Sequence, residues 1–257
     1  FEIIVIFQYI YVFILHILYN LILSFKLKQI FILFIASYIH VCGRKNPNYG
    51  ECIVDSINSA RSKVCTGMPE YDIPPLEPVT IDKIVIYNTD NLKLSVEDSK
   101  IRGFCDFEIK SINISPDQLQ FDVDFMLKHL EMDSTYDFDI RLLVSLANRG
   151  LVKVFADNLE GKLVIDFKIE TKNDRTEIYA SKVNVNLDVK TFKFEFDDSE
   201  KDMVQLHEIL SQTINDNQQD IINKVKPIFE KKFSEVVMTV ANKIAYNRKE
   251  QLFPDKP

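Results

Sequence analysis

Few side chains in this sequence could act in catalysis or bind a metal. After residue 41 the histidines are His129 and His207, which are too few for a histidine-based metal cluster or a Ser-His-Asp triad. His207 falls in a segment with helical spacing, where a lone histidine is expected at the surface or at a helix cap. His129 has no Ser or Cys motif near it. These residues predict no metal site, no catalytic centre and no cofactor.

A cluster of carboxylates could supply a general acid and a general base. Its members are Asp122, Asp124, Glu131 and Asp133. The first two alternate with apolar residues and are expected on the solvated face of a strand, and the other two are expected in the turn that follows. The sequence contains no G-x-S-x-G, P-loop, H-E-x-x-H or C-x-x-C motif. We therefore predict that the protein is not an enzyme.

The net charge limits the classes of partner. The formal charge is −7 at pH 7, and an acidic surface disfavours nucleic acids, which are bound by basic patches. The same charge disfavours docking on anionic membranes. We expect a monomer that binds no nucleic acid and has no stable association with membranes once its signal is removed.

Residues 1–41 are expected to lie outside the folded domain. The stretch 3–23 is mostly apolar and long enough to span a bilayer. A short basic segment then precedes an apolar run and a pair of small residues, which is the arrangement of a secretory signal. We interpret 29–41 as the signal core and 1–25 as an upstream extension, and the competing interpretation is a membrane anchor at 3–23. The remainder, 42–257, is predicted to form a single domain.

The cysteines indicate disulfides in an oxidising compartment. The chain has four, and all of them follow the predicted signal; an even count in a secreted chain is typical of a disulfide framework. Cys42 and Cys52 bracket a turn-rich loop and are predicted to pair. A second bridge, between Cys65 and Cys105, is left open, because the sequence does not show whether their geometry allows it.

From about residue 81 to residue 196 the apolar residues follow a period of two. This alternation predicts antiparallel strands with one apolar face and one solvated face. The longest alternation covers 136–146, and a turn is predicted after it at 148–150. Other turns are predicted at 90–91, 115–117 and 172–174. The apolar faces of these strands need a covering element.

A long helix near the C-terminus is the predicted covering element. Between residues 215 and 247 apolar side chains recur at steps of three and four, the spacing of one helical face. Asn217 has the residue type of an N-cap, and Pro227 is expected to kink the helix. Shorter helical segments are predicted at 51–63 and 204–214.

The strands and the long helix together define the predicted architecture. A flat sheet would present more apolar area than one helix covers, so we predict an α+β fold in which a strongly curved antiparallel sheet wraps the long helix. An elongated apolar cavity between them would hold a small ligand. A fully packed core would produce the same sequence pattern.

A proline-rich run carries a family resemblance. A motif of the insect takeout and haemolymph juvenile hormone-binding family is similar to residues 66–78, which read TGMPEYDIPPLEP. The resemblance covers 42–254. It includes the loop closed by Cys42 and Cys52, the segment Gly103–Phe107, the pair Lys226-Pro227 and the closing Leu252-Phe253-Pro254.

The resemblance implies a tubular lipid-binding fold in which the sheet and the helix enclose an apolar tunnel. It also implies secretion into haemolymph or another extracellular fluid, and carriage of a small hydrophobic ligand such as a terpenoid hormone or a fatty-acid-like molecule. Cys65 and Cys105 lie where most family members have other residues, so the resemblance does not support a second bridge. Two alternatives are a protein-interaction or signalling module with an unoccupied core, and a protein that transfers lipid between membranes.

The inward-facing side chains are the predicted ligand contacts, with a plain hydrophobic core as the alternative. Tyr136 stands out because its hydroxyl could meet a polar group of the ligand in an otherwise apolar site. The predicted lining residues are Phe107, Phe121, Phe125, Tyr136, Phe138, Leu142, Val144, Phe167, Phe229, Phe233 and Val237. Phe229 and Phe233, just beyond Pro227, are where ligand contact is expected first.

Overall fold

The computed structural model describes residues 35–141, 145–172, 175–197 and 204–255. The predicted membrane anchor (3–23), the predicted upstream extension (1–25) and the first part of the predicted signal core (29–34) lie outside these residues. No helix within the described ranges is long and apolar enough to cross a membrane. Residues 38–257 group as one compact unit.

The described residues contain four α-helices and a short 3₁₀ helix. They are α1 (Tyr49–Thr66), the 3₁₀ helix (Pro69–Tyr71), α2 (Val204–Asp216), α3 (Gln218–Ala245) and α4 (Lys249–Leu252). The long C-terminal helix is thus confirmed as α3, which continues through Pro227. Asn217 stands between α2 and α3, but its side chain forms no capping hydrogen bond to α3. Its amide nitrogen donates to the carbonyl of Thr213 in α2 at 2.8 Å.

Seven strands in the described ranges form one antiparallel sheet. They are β1 (Val79–Asn88), β2 (Leu92–Arg102), β3 (Phe107–Ile114), β4 (Gln120–Arg141), β5 (Ser145–Lys172), β6 (Arg175–Asp188) and β7 (Lys193–Phe196). The order across the sheet is β1-β2-β4-β5-β6, with β3 paired to the first half of β4 and β7 paired to β5. The predicted α+β architecture of a curved antiparallel sheet with a long C-terminal helix is confirmed.

The turn predicted at 148–150 is wrong, and so is the single strand predicted for 136–146. β4 ends at Arg141 and β5 begins at Ser145, so the predicted turn lies inside β5. The alternation of apolar residues continues through the β4–β5 hairpin with the same period. A period of two identifies the faces of a strand but carries no sign of a chain reversal.

Strand β6 lies at one edge of the sheet, and helix α3 covers its unpaired backbone groups. The helix supplies side-chain partners where a neighbouring strand would supply backbone partners. The contacts are Leu187 N–H to Glu230 Oε1 at 2.8 Å, Val185 N–H to Ser234 Oγ at 3.1 Å, and Ala180 N–H to Asn242 Oδ1 at 2.7 Å. Asn242 also donates through Nδ2 to the carbonyl of Ala180 at 3.2 Å. These bonds fix the position of α3 along the sheet.

The other edge of the sheet, β1, meets the N-terminal turns of the same helix. Tyr87 donates a hydrogen bond to Asp220 at 2.6 Å, and the Lys224 ammonium lies 4.8 Å from the centre of the Tyr87 ring. Burial and the bonded carboxylate raise the pKa of Tyr87 to about 12. Because α3 contacts both edge strands, it closes the curved sheet around an interior.

Two disulfides join the N-terminal part of the fold. Cys42–Cys52 connects the N-terminal loop to α1, and Cys65–Cys105 connects the end of α1 to the loop between β2 and β3. The second bridge, which the sequence left open, is present in the structure. Its cysteines are 40 residues apart, and closing a loop of that size stabilises a fold by roughly 4 kcal/mol in the chain-entropy account.

The substitution Asn242→Ala tests the contact between α3 and the edge of β6. We expect it to lower the free energy of unfolding by about 2 kcal/mol, because both backbone groups of Ala180 lose a partner in a half-buried position. Urea denaturation followed by circular dichroism measures the change. Asn223→Ala is the matched control on the exposed face of α3, where Asn223 bonds Gln219 at 3.3 Å, and it should cost less than about 0.5 kcal/mol. Equal losses would contradict a stabilising role for the edge contacts.

Candidate functional site

An apolar cavity of about 170 Å³ lies between the inner face of the sheet and helices α2 and α3. Its wall includes Leu94, Val96, Leu130, Val152, Val154 and Phe194 from the sheet, and Leu210, Ile214, Ile221, Val225 and Phe229 from the helices. Lys226 contributes only its aliphatic stem, because its ammonium pairs with Glu230 at 3.4 Å.

The local sequence explains why these side chains meet. Along β5, Val152 and Val154 point inward while the exposed Lys153 lies between them, as strand alternation requires. On α2, Leu210 and Ile214 are four residues apart and therefore share one helix face. Most of the strand residues that line the cavity are aliphatic, and they leave space that larger aromatic rings would fill.

The surface of this cavity is wholly apolar. Such a wall offers water few hydrogen-bond partners. An apolar molecule that entered the cavity would bury its own surface together with that of the wall, which is favourable.

A second recess of about 130 Å³ adjoins the cavity. The residues that line both spaces are Leu94, Leu210, Ile214 and Ile221. Their side chains therefore form the partition between cavity and recess. Thr213 and Asn217 on the wall of the recess are exposed to solvent, so the recess lies between the partition and the surface.

Tyr136 contributes its ring to the cavity wall, and its hydroxyl forms hydrogen bonds behind that wall. The Tyr136 hydroxyl donates to Asn148 Oδ1 at 2.7 Å and lies 2.8 Å from His207 Nε2. Tyr136 and His207 are 4% and 6% exposed, so these hydrogen bonds are shielded from water. The imidazole stacks on the Phe196 ring with centroids 4.7 Å apart. Gly150 lies against the Tyr136 side chain, and a Cβ at this position would be 2.7 Å from the hydroxyl, so a larger residue would displace the Tyr136 ring.

The expectation that His207 lies at the surface or at a helix cap is wrong. Helix α2 turns its apolar face toward the sheet, and His207 lies on that face with Leu210 and Ile214. Spacings of three and seven residues from His207 put the three side chains on one side of a helix. That spacing is the sequence signal that identifies His207 as an inward residue. Asn148 gave no comparable signal, because it was placed in a turn.

The predicted lining residues divide between the cavity and other parts of the interior. Tyr136 and Phe229 belong to the cavity wall, and Phe138 lines the recess. The other described residues lie elsewhere. Phe107 and Phe125 pack with the cluster around Leu127, and Phe121 and Phe167 pack with the cluster at Cys42. Phe233 packs with Val185 and Leu187, and Val237 is half-buried on α3 outside the cavity wall. Leu142 and Val144 lie outside the described residues. Alternation identifies the inward face of a strand but not the point along it where the cavity begins.

The candidate acid–base residues form ordinary surface contacts. His129 is exposed, and its Nδ1 lies 2.6 Å from Asp157, a bond that lowers the pKa of the Asp157 carboxyl. Glu131 and Asp133, expected in a turn, lie within β4, where Asp133 pairs with Arg102 at 2.6 Å. Throughout the described part of the chain, no three His, Cys, Asp or Glu side chains are grouped so that they could hold a metal ion.

Comparisons with known proteins identify relatives of this chain. The family described as haemolymph juvenile hormone binding protein matches residues 21–254. The crystal structure of Takeout 1 from Epiphyas postvittana is similar with a TM-score of 0.62 and 17% identity, over 79% of this chain and 95% of that chain. A crystal structure of lipopolysaccharide binding protein gives a TM-score of 0.43 and 9% identity, over 74% of this chain and 37% of that chain. No curated protein sequence matched.

The substitution Tyr136→Phe tests the buried polar group. We expect it to lower the free energy of unfolding by about 1–3 kcal/mol, because it removes two hydrogen bonds from a site shielded from water. Urea denaturation measures the loss. Tyr179→Phe is the control, since its hydroxyl bonds Glu170 at 2.6 Å in an exposed position, and its loss should stay below about 0.5 kcal/mol. A loss at Tyr136 no larger than the control's would rule out a stabilising role for this group.

Proposed function

Because the chain belongs to the haemolymph juvenile hormone binding protein family, we propose that it is a secreted, non-enzymatic carrier of a small hydrophobic ligand. The observation that carries the proposal is the apolar cavity between the sheet, α2 and α3. Burial of ligand surface there would drive binding at roughly 25 cal/mol per Å². Each methylene of the ligand then adds about 0.8 kcal/mol, or about a fourfold gain in affinity.

The position of Tyr136 supports an orientation for the ligand. Beyond Tyr136, β4 continues to Phe138 and Ile140, which line the recess on the solvent side. In the other direction β4 reaches Met132 and Leu130, which line the cavity. The apolar chain of the ligand would extend from the level of Tyr136 toward Leu130, and a carboxyl or ester group would remain on the side of the recess.

The size of the cavity supports a slender ligand, such as a terpenoid or a fatty-acid-like molecule. A cavity of about 150 Å³ holds a molecule of the size of benzene, so the cavity of about 170 Å³ encloses only part of a longer chain. The rest of such a ligand would occupy the recess after Leu210 and Ile214 move aside. Ligand entry would follow the same route from the surface.

An extracellular location is part of the proposal. Two disulfides in a chain of this size are typical of oxidising compartments, and the family is described as a haemolymph protein. We propose that the carrier acts as a monomer without a nucleic-acid or membrane partner, in keeping with its formal charge of −7.

Native mass spectrometry of protein secreted from insect cells tests the carrier function directly. We expect a co-purified apolar ligand, or an empty protein whose melting temperature rises on addition of fatty acids or terpenoids. At a ligand concentration about 100 times Kd the expected gain in the free energy of unfolding is about 2.7 kcal/mol. Protein that arrives empty, gains no stability from any such ligand and captures a stoichiometric protein partner would support an interaction module instead.

The substitution Val154→Phe tests whether the cavity is the binding site. The larger ring would occupy cavity space, so we expect at least a tenfold loss of affinity for the ligand, which is about 1.4 kcal/mol. Isothermal titration calorimetry measures the loss. Val85→Phe is the matched control, because Val85 is 48% exposed on the outer face of β1, and it should leave affinity unchanged. Unchanged affinity in folded Val154→Phe protein would place the ligand elsewhere.

A further inference from the structure

The cavity stops at a group of three phenylalanine rings. Phe229 on α3 is part of the cavity wall, whereas Phe233, one helical turn further, is 7% exposed and lies outside it. The Phe233 ring centre lies 6.1 Å from that of Phe229 and 4.1 Å from that of Phe104, which it meets edge to face at 73°. Phe104 therefore stands behind the end of the cavity.

Phe104 also supports the wall that the sheet contributes at this end. It packs against the clusters that contain Leu130, Leu159 and Leu187, and these three leucines line the cavity. Leu130 precedes Tyr136 by six residues on β4, which is about 20 Å at roughly 3.3 Å per residue. The Phe104 end and the Tyr136 end are thus opposite ends of the cavity.

Phe104 lies in the loop between β2 and β3, where no strand pairing holds it. The N–H groups on either side of it, at Gly103 and Cys105, both donate to Glu77 Oε1, at 3.0 and 2.8 Å. Cys105 is joined to Cys65 at the end of α1. Gly103 has φ 101°, and a Cβ there would lie 2.0 Å from a carbonyl oxygen of β4. The loop is therefore held by one carboxylate, one disulfide and one close backbone approach.

We infer that Phe104 determines the length of ligand that the cavity accepts, and that Glu77 and the Cys65–Cys105 bridge hold it as the closed end. The inference rests on the proposed carrier function and assigns its ligand class: a hydrocarbon chain of limited length with a polar group at one end. The chain extends from the Tyr136 end of the cavity toward Phe104, and its polar group remains on the side of the recess. Chain atoms beyond that length remain outside and add no buried surface.

Binding of straight-chain alkanoic acids, from hexanoic to octadecanoic acid, tests the inference by isothermal titration calorimetry. In the native protein affinity should rise about fourfold per methylene up to a limiting length and then stop rising. In Phe104→Ala protein the limit should move to longer acids. The first acids beyond the native limit should then bind at least about tenfold more tightly to the variant than to the native protein.

Two further variants separate the role of Phe104 from general loosening of the fold. Phe167→Ala removes a ring from the aromatic cluster at Cys42, away from the cavity, and should keep the native limit. Cys65→Ser/Cys105→Ser protein keeps the Phe104 ring but loses its covalent restraint, and should gain affinity for the longer acids by a smaller factor. If Phe104→Ala protein does not fold, Phe104→Leu takes its place, with a shift of the limit in the same direction.

The outcomes distinguish this inference from the proposal on which it rests. A native protein that binds no acid and no terpenoid would overturn the carrier function, and the length limit with it. A native protein that binds acids with a clear limit, together with folded Phe104 variants that keep that limit, would overturn only the role of Phe104. A shift of equal size in Phe167→Ala would also overturn it, because the effect would then not depend on the closed end.

Discussion

The hydrogen bonding of helix α3 to the edge strand β6 is the constraint on which the rest of the structure depends. An edge strand leaves backbone groups unpaired, and Glu230, Ser234 and Asn242 supply their partners from one side of α3. The N-terminal end of the same helix is held to the opposite edge through Tyr87 and Asp220. One helix attached to both edges requires the sheet to curve around it. The interior is therefore a consequence of the helix position and does not depend on any single apolar contact.

The interior enclosed in this way has a packed end and an open end. β4 has 22 residues, about 70 Å if straight, whereas α3 has 28 residues and spans about 42 Å. A strand longer than the helix is accommodated by the twist and curvature of the sheet. Rings such as Phe104, Phe125 and Phe233 fill one part of the interior, and mostly aliphatic residues, together with rings such as Phe194 and Phe229, line the other. The packed part stabilises the fold, so the protein can be stable although the other part contains a cavity.

The sequence was sufficient to predict the architecture, but it was insufficient to predict which residues line the cavity. Helical spacing located α3, and period-two alternation located the strands, because these patterns follow from burial of one face. The β4–β5 hairpin was missed since alternation continues through it. The spacing of apolar residues predicts an inward position for both Phe121 and Phe229, yet only Phe229 lines the cavity. Position along a curved sheet is set by register and curvature, which no local pattern encodes. The inward position of His207 was not predicted, although its spacing from Leu210 and Ile214 indicates that the three side chains share one helix face.

Selectivity in a carrier of this design would come from the closed end of the cavity more than from its sides. An apolar wall discriminates weakly, since one methylene changes binding by only about 1–3 kcal/mol. The buried hydroxyls of Tyr136, Ser99 and Ser134 have partners within the protein. The Tyr136 hydroxyl lies between Asn148 and His207, and the hydroxyls of Ser99 and Ser134 are 2.7 Å apart. These groups therefore place no demand on a ligand, so a closed aromatic end would select a ligand by its length.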